Sequence, residues 1–279
     1  MAISILSYLS NLAFVGVFLI VIFASKWLHS LSTPYNTFSE IIDKKNLALG
    51  ISIMGFITAN TIIYSAVLIA LGQGLQENLL DICQYTGLGM LLLLVSRQVN
   101  DKILLPSCCS HRQLIGKQSL SVGLAQASCY ITSGLIIGGA LMRNGDLWSA
   151  LVFYLLGQVS LVLFSKVYDL FTNFCLVQEL EKNNIAAATS FSATVIALGI
   201  ILLHALGGDF VSWQSSLSLF ALDALTAFII LPVVRILVDK LLIPSVNIDY
   251  AIKKEHNVAV ALLEGAVAIS VALVIFFAL

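Results

Sequence analysis

The sequence predicts an all-α integral membrane protein with eight transmembrane helices in two parallel four-helix repeats. Three observations carry this. Of 279 residues, 59% are hydrophobic and 10% charged, with a mean hydropathy of +1.00. A soluble domain carries about 25% charged residues, so lipid must cover most of this surface. Eight apolar runs reach the roughly 20 residues that a helix needs to cross hydrocarbon. Finally, one phrase occurs four times: Lys45-Asn46-Leu47-Ala48, Gln118-Ser119-Leu120-Ser121, Asn183-Asn184-Ile185-Ala186 and His256-Asn257-Val258-Ala259. The steps 46 to 119, 119 to 184 and 184 to 257 are 73, 65 and 73 residues, so alternate copies stand 138 apart. That is a duplication in which each half holds two hairpins, repeats 1–142 and 143–279.

The spans run in order over 5–25, 47–71, 79–99, 120–142, 147–168, 185–206, 215–236 and 258–278. They are helical because hydrocarbon cannot satisfy exposed backbone groups, and their continuous apolar character excludes the alternation of a β-barrel. The first run has no basic region before it. Leu12 to Ala24 resembles Phe153 to Ser165, and a lysine follows each, so the first span is expected to be retained rather than cleaved as a leader. Each repeated phrase opens the second span of a hairpin. Its Asn46, Ser119, Asn184 or Asn257 falls where a loop becomes a helix, an N-cap position; converging helix N-termini could instead attract an anion or headgroup.

These second spans are rich in small residues, such as Ala48, Gly55, Gly123, Gly134, Ala187, Ala193, Ala261 and Gly265, while the first spans are bulky. Small residues let backbones approach in lipid, which predicts an inner set of helices and an outer one. Gly134-xxx-Gly138 fits either a homo-oligomer motif or packing within the chain.

Thirteen of the 14 Lys and Arg residues fall in or at the edge of the loops after spans one, three, five and seven; Arg143 alone falls on the other side. The positive-inside rule predicts that the basic side is cytoplasmic and that both termini lie outside the cytoplasm. The formal net charge of −1 argues against a nucleic-acid partner. The five cysteines show no CxxC or zinc spacing, and neither a metal nor a cofactor is expected. Cys108-Cys109 is either a redox or lipidation site or two unpaired thiols.

At the 138-residue offset Arg97, Asp101, Lys102 and Pro106 match Arg235, Asp239, Lys240 and Pro244. Arg and Asp four apart share a helix face and can pair, and each helix should stop before its proline. These residues are either interfacial anchors or a docking surface for a cytoplasmic protein. Asp223 and Glu264 are the ionisable residues deep inside spans, and their first-half counterparts are Tyr85 and Gln126. Asp223 and Glu264 are expected at depths about 8 Å apart. They form either an ion or proton relay or two protonated carboxyls bonded to neighbouring helices. Gln158 and Asn60 are further intramembrane polar residues. No Walker loop, nucleophile elbow or metalloprotease motif occurs, so an enzyme is not expected.

Glu40-Ile-Ile-Asp-Lys-Lys-Asn-Leu-Ala-Leu-Gly50 and Glu179-Leu-Glu-Lys-Asn-Asn-Ile-Ala-Ala-Ala188 resemble the YjfL-like bacterial inner-membrane family, domain of unknown function 350, in two tandem copies. The resemblance implies a four-helix unit with an acidic residue before an Asn-x-Ala phrase, a bacterial inner-membrane location, and a loose link to envelope stress or polyamine metabolism. It implies no catalytic residues. The functions in view are a small channel or transporter for a proton, cation or small polar solute, with Asp223 and Glu264 in the path, and a scaffold that recruits cytoplasmic partners.

Overall fold

The structure, a computed structural model, describes residues 5–33, 35–71, 75–105, 111–143, 146–208, 210–244 and 247–279. Eight long helices cross the membrane by length and composition. They are α1 (Ile5–Leu31), α3 (Leu47–Leu71), α4 (Leu75–Val99), α5 (Leu120–Met142), α6 (Leu147–Phe171), α8 (Ile185–Gly207), α9 (Trp213–Leu237) and α11 (Val258–Ala278). Three short helices lie between them: α2 (Thr37–Ile42), α7 (Leu176–Glu181) and α10 (Ile248–Lys253). A wide π-helical turn, His111–Gly116, takes the corresponding place before α5. No strand occurs among the described residues.

The small-residue helices form an inner row in the order α3, α5, α8, α11, each packed along the next. The bulkier helices lie outside it, α4 against α3 and α5, α6 against α5 and α8, and α9 against α8 and α11. The row is not uniformly enclosed. α5 and α8 are the most enclosed, α3 less so and α11 least. The end helices have a neighbour on one side only, so α11 turns Leu262, Leu263 and Val274 outward.

Glycine decides how closely the row packs. A Cβ on Gly134 would lie 2.7 Å from Ala59 Cα, and one on Gly138 would lie 3.1 Å from Ala66 Cβ. The Gly134-xxx-Gly138 motif therefore seats α5 on α3 within the chain. A Cβ on Gly55 would strike Ala127, and one on Gly265 would strike Ala193. Positions 55 and 193 are 138 apart, as are 127 and 265. The repeats thus keep one Gly–Ala contact with its two members exchanged.

The fourfold phrase is a backbone device. Lys45, Gln118, Asn183 and His256 have φ of 53°, 50°, 59° and 53°, the left-handed region. There the chain reverses from a short helix or turn into a long span. The next residue's N–H bonds back into that short element, Asn46 to Glu40 O at 3.2 Å, Ser119 to Gln113 O at 3.0 Å, Asn184 to Glu179 O at 3.0 Å and Asn257 to Ala251 O at 2.9 Å.

Three of the four caps close as expected. Asn46, Asn184 and Asn257 Oδ1 accept from the N–H groups of Leu49, Ala187 and Val260 at 3.1, 3.1 and 3.2 Å. Asn46 and Asn184 also reach the next hairpin, donating to Leu114 O at 2.7 Å and Ile252 O at 3.0 Å.

Ser119 departs from the expectation, because its side chain does not cap α5. The loop before α8 lends the cap instead, since Asn183 Oδ1 accepts from Ser121 N and Ser119 Oγ, both at 3.1 Å. The Ser119 hydroxyl is turned to Asn183 and Ser121 instead of to the first amides of α5. We expect Asn183→Ala to lower stability by about 1–2 kcal/mol, the usual loss for a cap, as measured by thermal melting in detergent.

α4 and α9 each continue through a π-helical turn, Asn100–Leu104 and Val238–Leu242, closed by Leu105 N to Asn100 O at 2.9 Å and Ile243 N to Val238 O at 3.0 Å. The second ends just before Pro244, which cannot supply a further N–H. Pro106 and Cys108-Cys109 lie outside the described residues.

Candidate functional site

Arg235 sits near the end of α9 and turns into the bundle. Its guanidinium bonds to Glu264 Oε1 of α11, to Asp249 Oδ1 of α10 at 2.7 Å and to Ser190 Oγ of α8 at 3.2 Å. Ser190 Oγ donates to Glu264 Oε2 at 2.8 Å and lies 2.9 Å from the Tyr168 hydroxyl of α6. The Glu264 and Arg235 side chains are 3% and 11% exposed, so this is a desolvated network with one positive and two negative groups.

Two small clefts meet at the guanidinium. One, about 20 Å³, is lined by Tyr168, Thr194, Pro232, Arg235 and Glu264. The other, about 110 Å³, lies towards the lysine-rich end between Arg235, Asp239, Lys240, Asn247 and Asp249.

The first half holds the equivalent arrangement. Ser52 Oγ lies 2.5 Å from Gln126 Oε1, Gln126 Nε2 donates to Asp101 Oδ1 at 2.9 Å, and Arg97 Nε lies 3.7 Å from Asp101 Oδ2. Arg97 also donates to Ser32 Oγ at 2.5 Å. Ser52 and Ser190, Gln126 and Glu264, and Arg97 and Arg235 are each 138 residues apart. The same three positions recur in both halves, but Arg235 bonds directly to Ser190 and Glu264, whereas Asp101 stands between Arg97 and Gln126.

Residues 3–141 and again 142–279 match the family described as Domain of Unknown Function (DUF350). The chain belongs to this family. A relative, the UPF0719 transmembrane protein of Aquifex aeolicus (strain VF5), is 28% identical over 131 residues, 44% of this chain and 48% of the relative. The match thus spans about half the length of that relative. No solved structure matches the chain.

In each DUF350 copy the arginine of the Arg/Asp/Lys/Pro phrase faces inward. Neither Arg97 nor Arg235 lies at the surface where an anchor or docking side chain would sit, because each finds buried polar partners. Lys240 remains exposed, 3.1 Å from Asp239, and Lys102 is exposed as well. The expected i, i+4 ion pair forms in the first copy alone. In the second, Asp239 accepts from Ile248 N at 2.9 Å and so starts α10, and Arg235 takes Asp249 in its place.

Asp223 and Glu264 do not meet. Asp223 lies twelve residues before Arg235, about 18 Å along α9, while Glu264 is bonded to Arg235 itself. Asp223 instead lies 3.0 Å from His204 Nδ1. Tyr85, its counterpart, lines a separate cleft of about 110 Å³ with Arg143 and Asp146. Among the described residues, no three His, Cys, Asp or Glu side chains are grouped to hold a metal ion.

Next to the site, Glu179 on α7 is buried and pairs with Lys182 at 2.8 Å and Asn184 at 2.8 Å. Burial pushes its carboxyl upward, but these bonds outweigh it and hold the group below the usual carboxylate range.

Sequence reasoning missed Ser52, Ser190, Tyr168 and Asp249. The two serines stand at the repeat offset and were legible on that ground. Tyr168 and Asp249 stand opposite Ser30 and His111 at the repeat offset, residues of different chemistry, so the offset does not single them out.

Proposed function

We propose that the protein is a non-enzymatic channel or transporter for a proton, a monovalent cation or a small polar solute, with Arg235, Glu264 and Asp249 as its working site. The observation that carries this is a pair of carboxylates sharing one buried guanidinium where two clefts meet. Intramembrane ion pairs are costly and mark ion and proton pathways. The site has one negative charge in excess, so it favours a cation. A proton or cation that neutralises Glu264 releases one side of the guanidinium, which Asp249 continues to hold. The charge pattern can then alternate without leaving Arg235 unpaired. The first copy, with Gln126 in place of Glu264, lacks the second carboxylate and would not switch in this way.

In liposomes the unsubstituted protein is expected to dissipate an imposed proton or monovalent cation gradient. Glu264→Gln should slow this, because it removes a buried ionisable group from the path. A rate no greater than that of protein-free vesicles contradicts the proposal.

We further propose a bacterial inner-membrane location, with the lysine-rich end in the cytoplasm and both termini outside it. A periplasm-active reporter fused after Leu279 should be active. Activity from a cytoplasm-dependent reporter at the same place would reverse the orientation.

A further inference from the structure

We propose that Gln158, Asn100 and Ser133 enclose a bound-water site where the two repeats meet. Gln158 on α6 is 4% exposed, and neither its Oε1 nor its Nε2 has a hydrogen-bond partner among the described residues. Asn100 is 1% exposed; its Nδ2 donates to Ser133 Oγ at 3.2 Å, and its Oδ1 has no partner among the described residues.

The register of two helices brings these groups together. Ser96 Oγ of α4 and the Tyr154 hydroxyl of α6 are 3.0 Å apart. Asn100 follows Ser96 by four residues, and Gln158 follows Tyr154 by four, so each lies one turn further on the same face. α4 and α6 run in the same direction, and α6 packs against the turn Asn100–Leu104. One turn along both helices from the Ser96–Tyr154 contact therefore sets Asn100 opposite Gln158. Gln158 is about 16 Å from the Leu147 end of α6 and about 20 Å from the Phe171 end.

The chemistry selects the ligand. The groups supply a donor, Gln158 Nε2, and acceptors in Gln158 Oε1, Asn100 Oδ1 and the Ser133 hydroxyl. None carries charge, so an ion there would be uncompensated. Water donates and accepts, and a buried polar site with two to four partners is where proteins hold it. The site is formed by residues of both repeats and is independent of the Arg235–Glu264 network, so its test does not depend on transport.

X-ray radiolytic hydroxyl labelling of the protein in lipid nanodiscs reads it directly, because a held water is split beside its neighbours and oxidises them. Tyr154, which is 3% exposed, should label roughly fivefold faster than Phe191, which is 0% exposed. Gln158→Leu should bring Tyr154 down to the rate of Phe191. Equal rates at Tyr154 and Phe191 in the unsubstituted protein overturn the proposal. Melting provides a second measurement. Gln158→Leu lowers the midpoint if the amide is hydrogen-bonded to water, and a midpoint that rises shows a dry, unmet amide and overturns the site.

Discussion

Arg235→Met is expected to destabilise the protein by about 3–5 kcal/mol, the loss seen when one partner of a buried ion pair is removed. The methionine keeps much of the packing volume, so the cost is electrostatic. Glu264 is 2% exposed and would be left with the Ser190 hydroxyl as its remaining bond. It would have to take up a proton or remain charged in a desolvated place. Asp249 is better placed to recover, since Asn173 Nδ2 donates to its other oxygen at 2.5 Å. The double change Arg235→Met with Glu264→Gln removes both buried charges and should be milder than Arg235→Met alone. Chemical unfolding of the two single variants and the double variant gives the coupling energy. Additive losses would mean that the two groups do not depend on one another.

The second large effect is expected from Gly134→Ala. One methyl group there would lie 2.7 Å from Ala59 Cα and 2.9 Å from its Cβ. Backbone cannot yield as a flexible side chain does, so α5 must move off α3. Overpacking of this kind costs about 1–3 kcal/mol. Gly50→Ala is the matched control on the facing helix, since a Cβ at Gly50 has no neighbour within 4 Å. It should leave the melting temperature unchanged or raise it, because alanine is the better helix former. Similar losses in both variants would show that glycine matters here for something other than close approach.

The eight spans, the duplication and the inner row were legible because they rest on patterns that local sequence carries: apolar length, small-residue content and a fixed offset. The fate of the arginines was not. Arg97 and Arg235 stand beside a lysine and a proline at the end of a span, which is also how an interfacial anchor looks. What draws Arg235 inward is Glu264, 29 residues later and on another helix. The i, i+4 rule could offer Asp239 alone, and the fold gives that residue to the start of α10.

The cap at Ser119 shows the same limit. The phrase marks the turn correctly through its left-handed residue, but the oxygen that closes the helix belongs to Asn183, from the next hairpin. Asp223 and Glu264 illustrate the opposite error. Their residue types were informative, whereas depth estimated from separate loop ends placed them too close together. The contact of Glu264 with Arg235 sets the level of one acid, and the contact of His204 with Asp223 sets that of the other.

One asymmetry sets the two repeats apart, the acid at Glu264 against the amide at Gln126. Flux in liposomes should be compared for the unsubstituted protein, for Glu264→Gln, and for Gln126→Glu combined with Glu264→Gln. The first substitution leaves an amide at both positions and should reduce the rate. The combination moves the acid into the first repeat, beside Arg97 and Asp101, and should restore part of the lost rate. Flux in Glu264→Gln equal to that of the unsubstituted protein would contradict the account.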